Sequence, residues 1–218
     1  MGLLVLMGVA RAEATAEQES YLSWTADQAV KVGKSMREEG RVGGDGFRVL
    51  STERAKDYKL RATWLTPDVI RATARHLQFR MRLSNEQTMA LVSEAEAAAP
   101  TVILVEIDPR EGSGVIPLDW RTVLQPKGLK AERSRGFKGT SSPQFKNVKA
   151  LAGVVKRDYA YDVFWVAFPL VDDKGAPVFS NSVPEAELVV GIYDKEETVS
   201  WPIPDSIRQR VRALSQPK

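Results

Sequence analysis

At Pro100 the hydrophobic pattern of this chain changes from a helical period to a twofold one, and that switch constrains the fold more than any other feature. Before it, residues 13–39 read as one helix: Tyr21, Trp24, Ala29, Val32 and Met36 recur at near-helical spacing with charges between them. Gly40 is the expected stop, and Gly43-Gly44-Asp45-Gly46 an open turn. Segments 47–50 and 60–64 read as short strands or extended connectors. Thr66-Pro67-Asp68 starts a second helix, expected to run to Arg82: Thr66 caps free N–H groups, Pro67 suits the first turn and Asp68 complements the dipole. Ser84 and Gln87 have capping-box spacing for a third helix, closed by Pro100. The link between these two helices is short, which predicts a helical hairpin.

After Pro100, Thr101–Asp108 reads as a strand, apolar on both faces at its start. In 115–124, Ile116, Leu118, Trp120 and Leu124 alternate with Pro117, Asp119, Arg121 and Val123, as in a half-buried strand. A further strand is expected over 149–155, and the apolar run 159–171 belongs in the middle of the packing. Segments 187–193 and 198–203 form a hairpin around Asp194-Lys195-Glu196-Glu197, with Val199, Trp201 and Ile203 inward. Asp205 opens a closing helix to Leu214.

Helices followed by strands read as α+β. The expected architecture is N-terminal helices, including the hairpin, over 13–99, packed with a C-terminal, mainly antiparallel β-sandwich or curled sheet over 100–218. One continuous domain accommodates both, and 218 residues suffice for a sizeable core.

The chain has no cysteine, which excludes a disulfide scaffold, a thiolate metal site, a cysteine nucleophile and a lipid-modified cysteine. A single histidine, His76, excludes a multi-histidine metal centre within one chain. No motif calls for a cofactor or a metal. Residues 2–9 are an uncharged apolar run, followed by Ala10-Arg11-Ala12 and the overlapping Ala12-Glu13-Ala14. That order matches the core and cleavage site of a secretory signal in 1–12, although no basic residue precedes Arg11; a start codon further upstream would supply one. The expectation is a secreted or periplasmic protein, with a cytoplasmic helix as the alternative. No later apolar run has the roughly 20 residues of an integral membrane span.

Gly43-Gly44-Asp45-Gly46-Phe47 resembles the GG-acidic-acidic-Phe signature of diguanylate cyclases. The resemblance covers five residues, Gly46 stands where the family has its second acid, and one helix occupies the space where the preceding strands belong. The segment therefore reads as a glycine-rich turn.

Charge supplies the surface expectation. Ten basic residues lie between Arg121 and Arg157 against one acid, Glu132, so the remainder of the chain is net acidic. Lys127, Lys130, Arg133, Arg135, Lys138, Lys146 and Lys149 fall on what reads as a long loop over 127–149, with Phe137 and Phe145 available for stacking or insertion. Such a loop would attract an acidic glycan, an anionic lipid surface or another polyanion; the alternative is a solvated stretch balancing its acidic surroundings. Carboxylates are the catalytic candidates. Glu106 and Asp108 share one strand face, Glu111 lies in the loop that follows, Asp119 is on the next strand, and Asp158 and Asp162 flank Tyr159 and Tyr161. His76, at the edge of a helical stripe, reads as structural, and Trp64, Trp120, Trp165 and Trp201 as core, with Trp201 near a rim before Pro202. Three functions follow in order: an exported, soluble, non-catalytic binding or envelope-associated protein; a carboxylate-dependent glycan hydrolase around Asp108, Glu111 and Asp119; and a polyanion-binding module using 127–149.

Overall fold

The computed structural model of the protein describes residues 20–43, 58–109, 116, 119–128, 136–180 and 182–215. Among them are four α-helices, α1 (Ala26–Lys34), α2 (Pro67–Met81), α3 (Asn85–Ala98) and α4 (Asp205–Ser215). The strands are β1 (Arg37–Val42), β2 (Tyr58–Trp64), β3 (Thr101–Asp108), β4 (Arg121–Pro126), β5 (Phe137–Lys138), β6 (Thr140–Ser141), β7 (Asp162–Phe168), β8 (Glu185–Ile192) and β9 (Lys195–Pro202). They form two antiparallel sheets, one ordered β1-β2-β3-β7-β6 and the other β5-β4-β8-β9, so the class is α+β. No helix among the described residues is long and apolar enough to cross a membrane. The signal-like segment lies outside the described residues.

The caps of α2 and α3 form as their sequences dictate. Val69 N–H donates to Thr66 Oγ1, and the Ser84/Gln87 box closes both ways, at 3.2 Å and 2.9 Å. Helix α1 has the same device, unnoticed in its sequence: Gln28 N–H donates to Thr25 Oγ1 at 3.2 Å and Thr25 N–H to Gln28 Oε1 at 2.8 Å.

The first helix is much shorter than its periodicity predicts. Ser20–Ser23 is a 3-10 turn, α1 ends at Lys34, and Arg37–Val42 is an edge strand with Gly40 inside it, not a helix terminus. Pairing with β2, residue for residue from Arg37↔Thr63 to Val42↔Tyr58, overrides the local helical preference of Arg-Glu-Glu. The Cβ-free surface of Gly40 also faces Glu197 and Val199 of β9. Gly43 turns the chain out of β1 at φ 103, and 44–47 lie outside the described residues.

Three further expectations need correcting. The strand placed at 115–124 begins at Arg121, after a turn at Asp119. The strand at 149–155 is a 3-10 turn, Lys149–Leu151, followed by non-strand backbone. In the stretch read as a loop over 127–149, the residues from Gly136 onward form β5, β6 and the 3-10 turns Pro143–Asn147 and Lys149–Leu151, and 129–135 lie outside the described residues. Phe145 is buried and Phe137 half-buried, which removes Phe145 as an insertion residue. The β8–β9 hairpin turns on Tyr193 and Asp194 alone, with Tyr193 at φ 57.

The core lies where residues of the two sheets meet. Trp64 of β2 is fully buried, with its ring 5.8 Å from that of Trp201 on β9 and 6.1 Å from Phe179. Trp201 is therefore central, not at a rim. Helix α4 is tied down by charge: Arg210 lies 3.8 Å from Glu96 on α3, whose carboxylate also meets Arg71 of α2 at 3.4 Å, and Ser206 Oγ donates to Asp68 at 2.8 Å.

Candidate functional site

Antiparallel register puts directly opposed residues on one face of a sheet. On the first sheet, Arg37↔Thr63, Thr63↔Leu104 and Leu104↔Trp165 make one row across four strands. The next row is Glu39, Arg61, Glu106 and Val163, and beyond it Arg41, Lys59 and Asp108. This is the face opposite Trp64. Its first row is mainly uncharged, the second alternates in sign from Glu39 through Arg61 to Glu106, and the third sets two cations, Arg41 and Lys59, beside Asp108.

A cleft of about 450 Å³ opens over the first two rows. Arg37, Thr63, Leu104, Glu106, Val163 and Trp165 form its floor. Its walls come from Gly33 at the end of α1, Lys146 on the 3-10 turn, and the backbone from Ala152 to Arg157. Two contacts set its shape. Trp165 Nε1–H donates to Leu151 O at 2.9 Å, fixing the indole. Gly33 lies so close to Val154 that a Cβ would overlap its methyl groups, so only glycine lets α1 reach this wall.

The charges are uneven. Arg61 is the centre of the second row, 3.1 Å from Glu39, 3.3 Å from Asp158 and with its guanidinium 4.1 Å from the ring centre of Tyr161. Glu106, only 4% exposed, stands 3.4 Å from Arg37, yet its Oε2 accepts no hydrogen bond. Burial raises its pKa; Arg37 and Arg61 oppose that rise, while Asp158 and Glu39 reinforce it. The Tyr161 hydroxyl is pushed up chiefly by burial. Lys146 and Arg157 are exposed on the rim, and neither has an ion-pair partner among the described residues.

Because the folded protein holds a proton on Glu106 more tightly than the unfolded chain does, this group favours folding below the ordinary carboxyl pKa. That contribution is lost as pH rises through the raised value. Glu106→Gln should therefore gain stability relative to the parent as pH rises from the ordinary carboxyl range through the raised value, seen as a melting difference that grows with pH and then levels off. A constant difference across that range would show that Glu106 ionises without penalty.

Of the carboxylate candidates among the described residues, Glu106 alone lines the cleft. Asp108 is buried at the end of β3, Asp119 is exposed in the turn before β4 of the other sheet, neither lines the cleft, and Glu111 lies outside the described residues. Among the basic candidates, Lys127 is bound to Glu185 at 2.6 Å. Lys138 edges a smaller cleft of about 270 Å³ with Trp120 and Arg121, Lys149 is exposed, and Lys146 alone lines the larger cleft. Lys130, Arg133 and Arg135 lie outside the described residues. His76 is half-buried, its pKa lowered by burial and then by Arg80. Sequence reasoning missed Arg37, hidden in an expected helix, and assigned Trp165 to the core. The alternation of β3, which puts Leu104 and Glu106 on one face, was the available signal. Among the described residues no cluster of acids or histidines is arranged to hold a metal ion. Comparisons with models of protein families, with curated proteins and with solved structures find no match to this chain.

Proposed function

We propose that this protein is a non-catalytic small-molecule-binding protein whose ligand seat is the cleft on the outer face of the five-stranded sheet. The observation that carries this reading is the floor: a concavity of about 450 Å³ laid on four hydrogen-bonded strands and lined by Leu104, Val163 and Trp165. That volume and a predominantly apolar lining with a few charged groups are what a single small ligand requires. A floor on registered strands is also more rigid than one on loops. Two finer readings of the fold accompany it. The two sheets close face to face as a sandwich, supported by the Trp64–Trp201 contact, and α2 and α3 form an antiparallel hairpin, supported by the link at Arg82, Leu83 and Ser84. Export to the periplasm or exterior, supported by residues 2–12 of the sequence, would place the seat where small ligands are captured outside the cytoplasm.

Val163→Trp tests the assignment, because a half-buried residue of the floor becomes a plug. A neutral apolar dye, N-phenyl-1-naphthylamine, should bind saturably with about one dye per chain. The plug should weaken that binding at least about tenfold with little change in melting temperature. Unaltered dye binding in a folded Val163→Trp protein would move the seat elsewhere.

A further inference from the structure

We infer that the cleft takes an amphiphilic anion: a small molecule with an apolar body seated on Leu104, Val163 and Trp165 and one anionic head group held at the cationic rim. This rests on the cleft being the ligand seat and names the class of ligand that fits it.

Three observations support the inference. The first is charge balance. Three cations line the cleft, Arg37, Lys146 and Arg157, against a single carboxylate, Glu106. Arg37 shares that carboxylate at 3.4 Å, whereas Lys146 and Arg157 have no ion-pair partner among the described residues. An incoming anion finds uncommitted positive charge, and an incoming cation meets like charge that nothing compensates.

The second is the division of surface. The floor and one wall present aliphatic and indole groups, Val154 and Val155 among them, while Lys146 and Arg157 are exposed at the edge. Desolvating an apolar body against the floor is favourable. Leaving the head at an exposed edge avoids burying a charge. Tyr159, 85% exposed beside Arg157, extends aromatic surface past the mouth, its ring centre 5.6 Å from that guanidinium.

The third is size. At about 450 Å³ the cleft holds one small molecule, and a polymer would leave its apolar floor unused. Carboxylate and phosphate heads share the chemistry that the rim recognises.

The test is a head-group series on one ten-carbon tail below its aggregation concentration: decanoate, decyl phosphate, decanol and decyltrimethylammonium, each titrated by calorimetry. The two anions should bind at least about tenfold more tightly than decanol, the sum of two exposed ion contacts, and the ammonium more weakly than decanol. Whichever anion binds tighter identifies the head. Lys146→Glu with Arg157→Glu should abolish the anionic preference and leave decanol affinity within about twofold. Equal binding of all four compounds, or an anionic preference that survives the double change, would overturn the head-group assignment while the cleft remained the seat. If none of the four binds, decanol included, the cleft itself is not a seat for apolar ligands.

Discussion

Trp64→Ala should remove about 4 kcal/mol of folding free energy, the range for deleting a fully buried tryptophan. Its indole is 0% exposed and bridges the sheets, meeting Trp201 at 5.8 Å and Phe179 at 6.1 Å. It also donates Nε1–H to Thr101 Oγ1 at 2.8 Å, a hydroxyl that is itself buried. Truncation opens a cavity between two packed surfaces and strips a buried acceptor of its donor, and both costs run in the same direction. A domain is stable by roughly 5–15 kcal/mol, so a large part of the reserve disappears. Trp64→Phe keeps most of the aromatic bulk and should cost about 1–2 kcal/mol, chiefly through the hydrogen bond. Equilibrium urea unfolding of the three proteins reads both differences. A loss below about 1 kcal/mol for the alanine change would mean that the sheets do not depend on this contact.

The second large effect is expected at Gly139, the single residue between β5 and β6. Its N–H donates to Thr122 O at 3.0 Å. A Cβ there would overlap Thr122 Oγ1 and a methyl of Val166, and would stand 2.7 Å from Phe168 Cε1. All three neighbours are buried, so none can swing aside into solvent. Gly139→Ala should cost about 3 kcal/mol, at the upper end for overpacking a core. For a chain of this length that corresponds to a fall of about 10 °C in melting temperature. Gly175 is the contrast: it has φ +79 but open space around its Cβ position, so Gly175→Ala carries only backbone strain of about 1 kcal/mol. Equal melting shifts for the two substitutions would show that crowding at Gly139 is relieved by movement of the strand.

Local signals account for what could be read from the chain. Thr66-Pro67, the Ser84/Gln87 box and the apolar run at Thr101–Asp108 act over a few residues, and α2, α3 and β3 stand at or within a residue or two of the expected bounds. Where pairing across the sheet decides, the reading failed. Arg37–Val42 has helix-forming residues and no turn signal before it, and becomes a strand because β2 offers an edge. A strand is expected over 149–155, but the backbone coils at Lys149–Leu151 into a 3-10 turn that receives the Trp165 indole N–H on Leu151 O. The cleft was illegible for the same reason. Its floor draws Arg37, Thr63, Leu104 and Trp165 from four strands up to 128 residues apart, and only the register places them in one row. Lys146 was visible as one basic residue among ten, with nothing in the local sequence to separate it from Lys127, which Glu185 neutralises.

The strand interrupted at Gly139 belongs to both sheets, Phe137–Lys138 pairing with β4 and Thr140–Ser141 with β7. Sliding one sheet past the other at that edge would break backbone hydrogen bonds, which makes the platform under the cleft a poor place for adaptation. The wall at 152–157 carries no strand pairing of its own and includes Gly153 at φ +73. Accommodation of different ligands, within one protein or across diverging descendants of it, would therefore fall to that short wall. Its exposed side chains, Ala152, Lys156 and Arg157, are open to change at little cost to folding, whereas Val154 is held against Gly33 and the strands beneath keep the same sequence of rows.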